Sequence, residues 1–168
     1  MLKRYDKPLS NHEIANLLKI KELKHARINN LNMVEFDNLK HYETLEELFN
    51  GQGHVLGFID YGNKIGHWVS LLVNPDKSIL FFDSLGKKLK NYDKNGYIEQ
   101  LAKKEGFKIV ENKTKFQNDS SNTCGKFAIL NIFFNKLGIS HDEIIKLWKL
   151  IKRSYGNVDN FLLDIFKN

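Results

Sequence analysis

The spacing of apolar residues predicts helices in the first part of the chain. The stretch LSNHEIANLLKI puts Ile14, Leu17 and Leu18 along one side of a helix. A second, shorter helix is expected in TLEELF, because Thr44 and Glu47 have the spacing of a capping box. Between the two, INNLNMVEFDNL shows neither a helical nor a strand-like period and is expected to be irregular.

The middle of the chain changes to short runs rich in β-branched and aromatic residues. These runs are HVLGFID at 54–60, HWVSLLV at 67–73 and SILFFD at 78–83, separated by the turn-forming sequences YGNKIG and NPDK. The second and third runs predict an antiparallel hairpin in which Ser78 pairs roughly opposite Val73. Both faces of these strands are apolar, so we expect a sheet that is covered on both sides.

The last part of the chain returns mainly to helical spacing. NGYIEQLAKKEG predicts a helix that stops at Gly106, and FKIVENKTKF predicts a further strand. A nearly all-apolar helix follows Cys124, and SHDEIIKLWKLIKRS begins with Ser140 and Glu143 in capping-box positions. VDNFLLDIFK is a final amphipathic helix. Helices at both ends and a sheet between them indicate an α+β fold.

Length, charge and cysteine content restrict the class of protein. A chain of 168 residues is expected to form one domain over 1–168. The net charge is +6, nearly all basic residues are lysine, and this charge favours contact with nucleic acid or another polyanion. No stretch approaches the ~20 apolar residues of a membrane span, and the N-terminus lacks the apolar core of a signal peptide. A single cysteine excludes an internal disulfide, so an intracellular, reducing environment is expected.

That single cysteine, Cys124, has two interpretations. A free cysteine is most often a small apolar residue packed in a core. Here it follows the helix-capping residues Ser121, Asn122 and Thr123 and opens the apolar helix. In the first turn of a helix, the backbone N–H groups and the dipole favour an anion such as the reactive thiolate. Gly125 leaves the next position without a side chain, so a substrate backbone can approach closely.

A nucleophilic cysteine needs a base and an orienting carboxylate elsewhere in the chain. His67 begins one strand of the predicted hairpin and Asp83 ends the other, so Asp83 is expected within about one residue of a position opposite His67 or Trp68. A hydrogen bond between them would fix the imidazole tautomer and stabilise its charged form. Each residue alone is equally explained as a strand-end or turn residue. Of the other histidines, His54 begins a strand and the rest are expected on the surface, namely His12, His25, His41 and His141.

Gln117 lies seven residues before Cys124 on a polar loop. Its side-chain amide is a donor that can point, beside the backbone N–H of Cys124, at a developing oxyanion. A glutamine in a loop is by itself no evidence for that role. One cysteine and scattered histidines give no metal-ligand spacing, and the chain has no glycine-rich phosphate loop.

The segment GHWVSLLVNPDKSILFFDSLG, followed about forty residues later by QNDSSNTCGKFAILN, carries a specific combination of these residues. It resembles the superfamily of cysteine proteases that contains the adenovirus protease (adenain) and the Ulp-type SUMO proteases. Members carry a His-Trp pair on a strand, an acidic residue after the next strand, a glutamine and then a Cys-Gly pair. The matching residues here are His67-Trp68, Asp83, Gln117 and Cys124-Gly125, and the resemblance covers about 55–137.

The resemblance implies a papain-like core with a mixed or antiparallel central sheet, a buried catalytic helix and flanking helices. It implies that Cys124, His67 and Asp83 act as nucleophile, base and orienting carboxylate, and that Gln117 supplies an oxyanion donor. Trp68 is expected to line the substrate cleft, although a core aromatic explains it equally well. No metal or other cofactor is implied.

The short chain and the spacing from glutamine to cysteine resemble the viral maturation branch, including the proteases of virophages and related large transposons. The implied function is cleavage of capsid or core precursors, often after small residues such as glycine, by a monomer in the virion and the infected cell. Deconjugation of ubiquitin or SUMO is the alternative, and an inactive DNA- or capsid-binding protein on the same fold is a third. DNA stays a candidate activator because of the positive charge, whereas a disulfide-linked activating peptide is excluded by the single cysteine.

Overall fold

The computed structural model describes residues 31–63 and 65–166. The strands in this part of the chain are β1 (Met33–Glu35), β2 (His54–Asp60), β3 (Gly66–Val73), β4 (Ser78–Phe82) and β5 (Lys108–Glu111). The α-helices are α1 (Leu45–Phe49), α2 (Tyr97–Glu105), α3 (Cys124–Lys136), α4 (His141–Tyr155) and α5 (Val158–Ile165). Short 3₁₀ helices span Phe36–His41 and Leu89–Asn91. The helix predicted around Ile14 lies outside the described residues, and none of the described helices is long and apolar enough to cross a membrane.

The five strands form a mixed sheet in the order β1-β2-β3-β4-β5. The central strand β3 pairs antiparallel with both β2 and β4, whereas β1 pairs parallel with β2 and β5 pairs parallel with β4. The predicted α+β class with a central mixed sheet is confirmed. The expectation that 28–39 is irregular is wrong at 33–35, because β1 forms there by pairing with β2, and 28–30 lies outside the described residues. Only Val34 of this strand is buried, and three residues with one buried side chain show no period in the sequence.

Helices cover both faces of the sheet, as the apolar strands predict. One face packs against α3, α4 and α5, and its buried strand residues are Leu56, Trp68, Leu72, Leu80 and Phe82. The other face packs against α1 and α2, and its buried apolar strand residues are Val34, Val55, Ile59, Val69, Leu71, Ile79 and Phe81. This division follows the two-residue repeat of a strand, so neighbouring residues of one strand belong to different layers.

The β3–β4 hairpin is antiparallel, as predicted, but its register differs by one residue from the expected one. Val73 pairs with Ile79 and not with Ser78. Ser78 instead accepts a hydrogen bond at its carbonyl from the Asn74 N–H, at 2.9 Å. The turn between the paired residues Asn74 and Ser78 therefore contains three residues rather than the four of NPDK, and the rough pairing expected from the sequence is off by one residue.

This shift matters for the end of β4, because a one-residue slip exchanges the two faces of a strand. In the predicted register, Asp83 falls opposite Trp68 and on the face of that residue. In the observed register, the residue opposite Asp83 is Val69, if the pairing is continued one position beyond the strand. Val69 shares its face with His67, two residues earlier, so the observed register brings Asp83 to the histidine side of the sheet.

Helix α3 is buried on nearly all sides, as its sequence predicts. All residues of 124–132 are buried, and Cys124 is the first residue of the helix. The predicted side-chain cap is absent at Thr123, which occupies the N-cap position. Its hydroxyl donates a hydrogen bond to Asp159 of α5, and the helix start receives no cap from this side chain.

The other predicted helix ends are mostly confirmed. Ser140 and Glu143 form a complete capping box at the start of α4. Gly106 ends α2 in the left-handed region, with φ of 76°. Thr44 accepts a hydrogen bond from the Glu47 N–H at 3.1 Å, but the Glu47 carboxylate binds the N–H one residue before the cap, so this box is incomplete.

A buried tryptophan on α4 holds the apolar helix α3 in place. The Trp148 side chain is fully buried, and its ring centroid lies 4.8 Å from that of Phe127. Its indole N–H donates to the side-chain oxygen of Asn131 at 2.6 Å. The ring also lies 6.3 Å from that of Phe82 on β4, so it joins helix α3, helix α4 and the sheet.

We predict that Trp148→Phe lowers the free energy of unfolding by about 2–4 kcal/mol, because it empties buried volume and leaves the Asn131 oxygen without its donor. Urea unfolding followed by circular dichroism measures this change. Leu150→Ala is the control, because Leu150 lies on the same helix and is 58% exposed. Its effect should stay within about 0.5 kcal/mol. Equal effects of the two substitutions would contradict the role given to Trp148.

Candidate active site

The ends of β3 and β4 bring His67 and Asp83 into direct contact. His67 Nε2 lies 2.6 Å from Asp83 Oδ1, and the two side chains are 5% and 0% exposed. At this distance, a protonated imidazole and a carboxylate form a charge-assisted hydrogen bond. The contact expected from the hairpin is present, although the register that produces it differs.

The Asp83 carboxylate is held by further donors on both oxygens. Oδ1 accepts from the Leu85 N–H at 3.0 Å, and Oδ2 accepts from the Lys87 N–H at 3.1 Å and the Tyr92 hydroxyl at 2.8 Å. Burial raises the pKa of Asp83, but the hydrogen bond and charge of His67, followed by the Leu85 and Tyr92 donors, bring it below its usual value. The carboxylate is therefore ionised and fixed in orientation.

The His67 imidazole also forms a hydrogen bond with the Cys124 thiol at the start of α3. Burial lowers the pKa of His67, but the hydrogen bonds and charges of Asp83 and Cys124 outweigh it and raise the pKa to about 9. Burial raises the pKa of Cys124, yet His67 and then the backbone N–H groups of Trp68 and Gly125 lower it below its usual value. These opposite shifts favour a thiolate–imidazolium pair near neutral pH.

The pKa shifts of His67 and Asp83 define the pH range in which the ion pair between these two residues stabilises the fold. The pKa of His67 rises from 6.5 to about 9 on folding, so its contribution is complete below 6.5 and is lost as the pH rises through about 9. The pKa of Asp83 falls from 3.8, so its contribution is present above 3.8 and is lost as the pH falls through the lower folded value. Both contributions are present together in mildly acidic and neutral solution.

Gln117 is buried rather than exposed on its loop, with 4% of its surface accessible. Its side-chain oxygen accepts from the Ser84 hydroxyl at 2.5 Å, and its side-chain nitrogen donates to the Ser121 carbonyl at 2.9 Å. The Gln117 backbone N–H also donates to the Ser84 carbonyl, at 2.9 Å. The orientation of the amide is thus fixed, and one of its two N–H groups is used within the loop.

The backbone N–H groups of Trp68 and Gly125 both favour the thiolate of Cys124 and lower its pKa. The Trp68 side chain is 5% exposed and packs on Phe58, with ring centroids 4.7 Å apart. Of the two explanations for Trp68, packing in the core is therefore observed. A contact of either residue with a substrate stays a prediction.

The remaining described histidines lie outside this cluster. His41 is exposed, as expected. The surface position expected for His141 is wrong, because its helix packs against the sheet and its Nδ1 lies 3.4 Å from the buried Ser78 hydroxyl. His54 begins β2, as predicted, and burial, followed by the charge of Lys136, lowers its pKa to about 4. His12 and His25 lie outside the described residues.

Sequence reasoning missed several residues that hold the candidate catalytic groups. The Asn112 side chain accepts from the Asp83 N–H at 3.0 Å and donates to the Asp83 carbonyl at 2.7 Å. Tyr92 binds the same carboxylate, and Asp159 binds the loop before Cys124. These three come from separate segments and give no local signal. In the described part of the chain, no group of three or more acidic, histidine or cysteine side chains is arranged to hold a metal ion.

In a comparison with protein-family models, residues 62–155 match the Ulp1 protease family, C-terminal catalytic domain. This stretch is more than half of the chain and contains His67, Asp83, Gln117 and Cys124. The chain belongs to the Ulp1 protease family. As a member of that family it is a cysteine protease of the Ulp1 type, which confirms the resemblance found in the sequence.

This Ulp1-family protein is also similar to individual proteins and solved structures. It is 29% identical over 158 residues to uncharacterized protein V9 of Sputnik virophage, and the alignment covers 82% of this chain and 83% of that protein. The crystal structure of the ASFV pS273R protease has a TM-score of 0.58 at 16% identity and covers 84% of this chain. The chain spans 62% of the length of that structure, and the likeness concerns the fold. The SUMO protease Ulp1, with its catalytic cysteine oxidised to a sulfenic acid, has a TM-score of 0.48 at 14% identity, covering 89% of this chain and 78% of that chain.

We predict that Asp83→Asn moves the reactivity of Cys124 to higher pH. Without the carboxylate, the pKa of His67 falls, the imidazolium is lost and the pKa of Cys124 rises. The second-order rate constant for iodoacetamide, measured between pH 5 and pH 10, should fall about tenfold near pH 6, because each unit of pKa corresponds to a tenfold change in thiolate.

Asp60→Asn is the matched control for this experiment. Asp60 is an exposed carboxylate at the end of β2, and it accepts from the Gly62 N–H at 2.7 Å, which an asparagine can also do. Its profile should match that of the wild type. An Asp83→Asn profile that also matches the wild type would show that Asp83 does not sustain the charge on His67.

Proposed function

We propose that the protein is a cysteine endopeptidase in which Cys124 is the nucleophile, His67 the acid–base group and Asp83 the orienting carboxylate. The observation that supports this is the contact of one buried imidazole with Asp83 on one side and Cys124 on the other. The pKa of His67 is raised to about 9 while that of Cys124 is lowered. A thiolate paired with an imidazolium is the state from which a cysteine protease attacks a peptide carbonyl.

The proposed reaction is acyl transfer in two stages. The Cys124 sulfur forms a bond to the carbonyl carbon, and the carbonyl π electrons move to the oxygen. His67 then gives its proton to the leaving amine as the C–N bond breaks, which leaves a thioester. A water molecule attacks the thioester, His67 takes a proton from that water, and the carboxylic product and the Cys124 thiolate are released.

Gln117 and the Cys124 backbone N–H are proposed to stabilise the oxyanion of both tetrahedral intermediates. The hydrogen bonds from Ser84 and to the Ser121 carbonyl support this role, because they orient the amide and leave its second N–H for a ligand. A donor that is fixed before the reaction needs no reorganisation when charge develops. Trp68 and Gly125 are proposed to contact the substrate beside the scissile bond.

The proposed substrates are precursors of viral capsid or core proteins, cleaved after small residues such as glycine. Support for a viral role comes from the relative in Sputnik virophage. The preference for small residues is supported by the 6% exposure of Cys124, because a large side chain beside the scissile bond would have to displace buried groups. We propose that the enzyme acts as a monomer, in the virion and in the infected cell.

Deconjugation of a ubiquitin-like protein is the second candidate function. The match to the Ulp1 protease family favours it, since the same four side chains would serve an isopeptide bond. DNA is a candidate activator in either case, because a net charge of +6 attracts a polyanion. The enzyme is proposed to need no metal or organic cofactor.

We predict that the wild type, and not Cys124→Ala, cleaves the capsid proteins encoded near its gene. Mass spectrometry of the new termini should show cleavage after small residues. SUMO and ubiquitin conjugates form a second set of substrates, and each reaction is repeated with duplex DNA at low and high salt. Cleavage of the conjugates alone would favour the second candidate, and cleavage of neither set would contradict the proposal.

We predict that Gln117→Ala lowers kcat on a peptide spanning the cleavage site by about 10²–10³-fold, because an oxyanion donor acts mainly in the transition state. KM should change little. The neighbouring Asn118→Ala is the matched control, because that side chain is exposed on the same loop. If Gln117→Ala retains more than about a third of the wild-type kcat, its amide is not the donor. A loss confined to Asn118→Ala would move the role to that residue.

A further inference from the structure

One carboxylate from the last helix binds the loop that leads into the catalytic helix. Asp159, in the first turn of α5, is 4% exposed. Its Oδ2 accepts from the Asn118 N–H at 2.9 Å, and its Oδ1 accepts from the Ser121 hydroxyl at 2.7 Å. The Thr123 hydroxyl also donates to Oδ1. Three positions of the seven-residue loop 117–123 are therefore held by a single side chain that is distant in sequence.

These contacts lie between the two proposed oxyanion donors. Gln117 precedes Asn118, and its amide donates to the carbonyl of Ser121, whose hydroxyl Asp159 holds. Thr123 precedes Cys124, and its backbone carbonyl accepts from the Phe127 N–H in the first turn of α3. Any movement of the loop away from α5 would therefore change the direction of both the Gln117 amide and the Cys124 N–H.

Asp159 also accounts for the missing cap of α3. An N-cap threonine ordinarily turns its hydroxyl toward the N–H groups of the first helical turn. Here the Thr123 hydroxyl is drawn to Asp159 and makes no cap hydrogen bond. The Thr123 side chain therefore makes no hydrogen bond with the N–H groups of the first helical turn, in which Cys124 lies.

We propose that Asp159 is a positioning residue that sets the geometry of the oxyanion site from outside the catalytic cluster. The inference rests on the proposed function, because it takes Gln117 and the Cys124 N–H as the oxyanion donors. Asp159 lies beyond residue 155, where the match to the family model ends. The catalytic loop of this chain thus depends on a helix that the matched region does not include.

The test compares two reactions of Cys124 that differ in one respect. Alkylation by iodoacetamide needs the thiolate but forms no oxyanion. In acylation by p-nitrophenyl acetate, the sulfur bonds to the carbonyl carbon, an oxyanion forms, and p-nitrophenolate leaves with the C–O electron pair. The ratio of the two rate constants therefore reports on the oxyanion site, and partial unfolding would lower both rates together.

We predict that Asp159→Ala lowers the acylation rate about tenfold and leaves the alkylation rate within about twofold of the wild type. The reason is that the two oxyanion donors, Gln117 and the Cys124 N–H, are misdirected rather than removed. Asp159→Asn should recover most of the ratio. The amide oxygen can accept from the Asn118 N–H, while the amide N–H groups donate to the Ser121 and Thr123 hydroxyls, which both donate and accept.

Asp119→Asn is the charge-matched control, because Asp119 is exposed on the same loop. Among the described residues, its carboxylate forms an ion pair with the surface residue Lys115. Its ratio should equal that of the wild type. An unchanged ratio in Asp159→Ala, or an equal fall in both reactions, would overturn the inference while leaving the proposed function standing. A wild type that reacts with neither reagent faster than the denatured chain would overturn the proposed function and the inference with it.

Discussion

The hydrogen bond between His67 and Asp83 is the interaction on which the rest of the site depends. An imidazole as deeply buried as His67 would ordinarily be neutral, because burial disfavours its charged form. The adjacent carboxylate reverses that preference and raises the pKa of His67 to about 9. The hydrogen bond and charge of His67 are the largest of the effects that lower the pKa of Cys124. The reactivity of the thiol therefore depends on the contact between His67 and Asp83, in which the thiol takes no part.

This buried charge is tolerated because the surrounding structure satisfies it. The carboxylate of Asp83 receives donors from Leu85, Lys87 and Tyr92 in addition to His67, and the Asn112 amide pairs with its backbone. An isolated buried carboxylate would be protonated or displaced, whereas one with donors on both oxygens is held as an anion in one orientation. The sheet, covered on both faces, supplies the rigid frame that these bonds require.

The residues of the candidate site come from two separate parts of the chain. Strands β3 and β4 carry the acid–base pair, whereas α3 and the loop before it carry the thiol and Gln117. Trp148 packs α3 against the sheet, and Asp159 binds the loop to α5. The C-terminal helices thus hold the proposed catalytic groups through packing and hydrogen bonds, and supply none of those groups themselves.

The amino-acid sequence alone was enough to predict the α+β class, four of the five strands in the described part of the chain, the buried helix that begins at Cys124, and the contact between His67 and Asp83. It did so because strand and helix periods are local, and because the His-Trp, Asp, Gln and Cys-Gly residues occur in a recognisable order. Three features were decided only by the tertiary structure: strand β1, the one-residue register of the β3–β4 hairpin, and the partners Tyr92, Asn112 and Asp159. Strand β1 is too short, with one buried side chain, to show a period of its own, and it forms by pairing with β2. The register of the hairpin is settled by which face of the strand must be buried. A hydrogen bond between distant segments leaves no pattern in the sequence of either segment. The face on which Asp83 meets His67 is therefore a property of the folded sheet and not of the sequence alone.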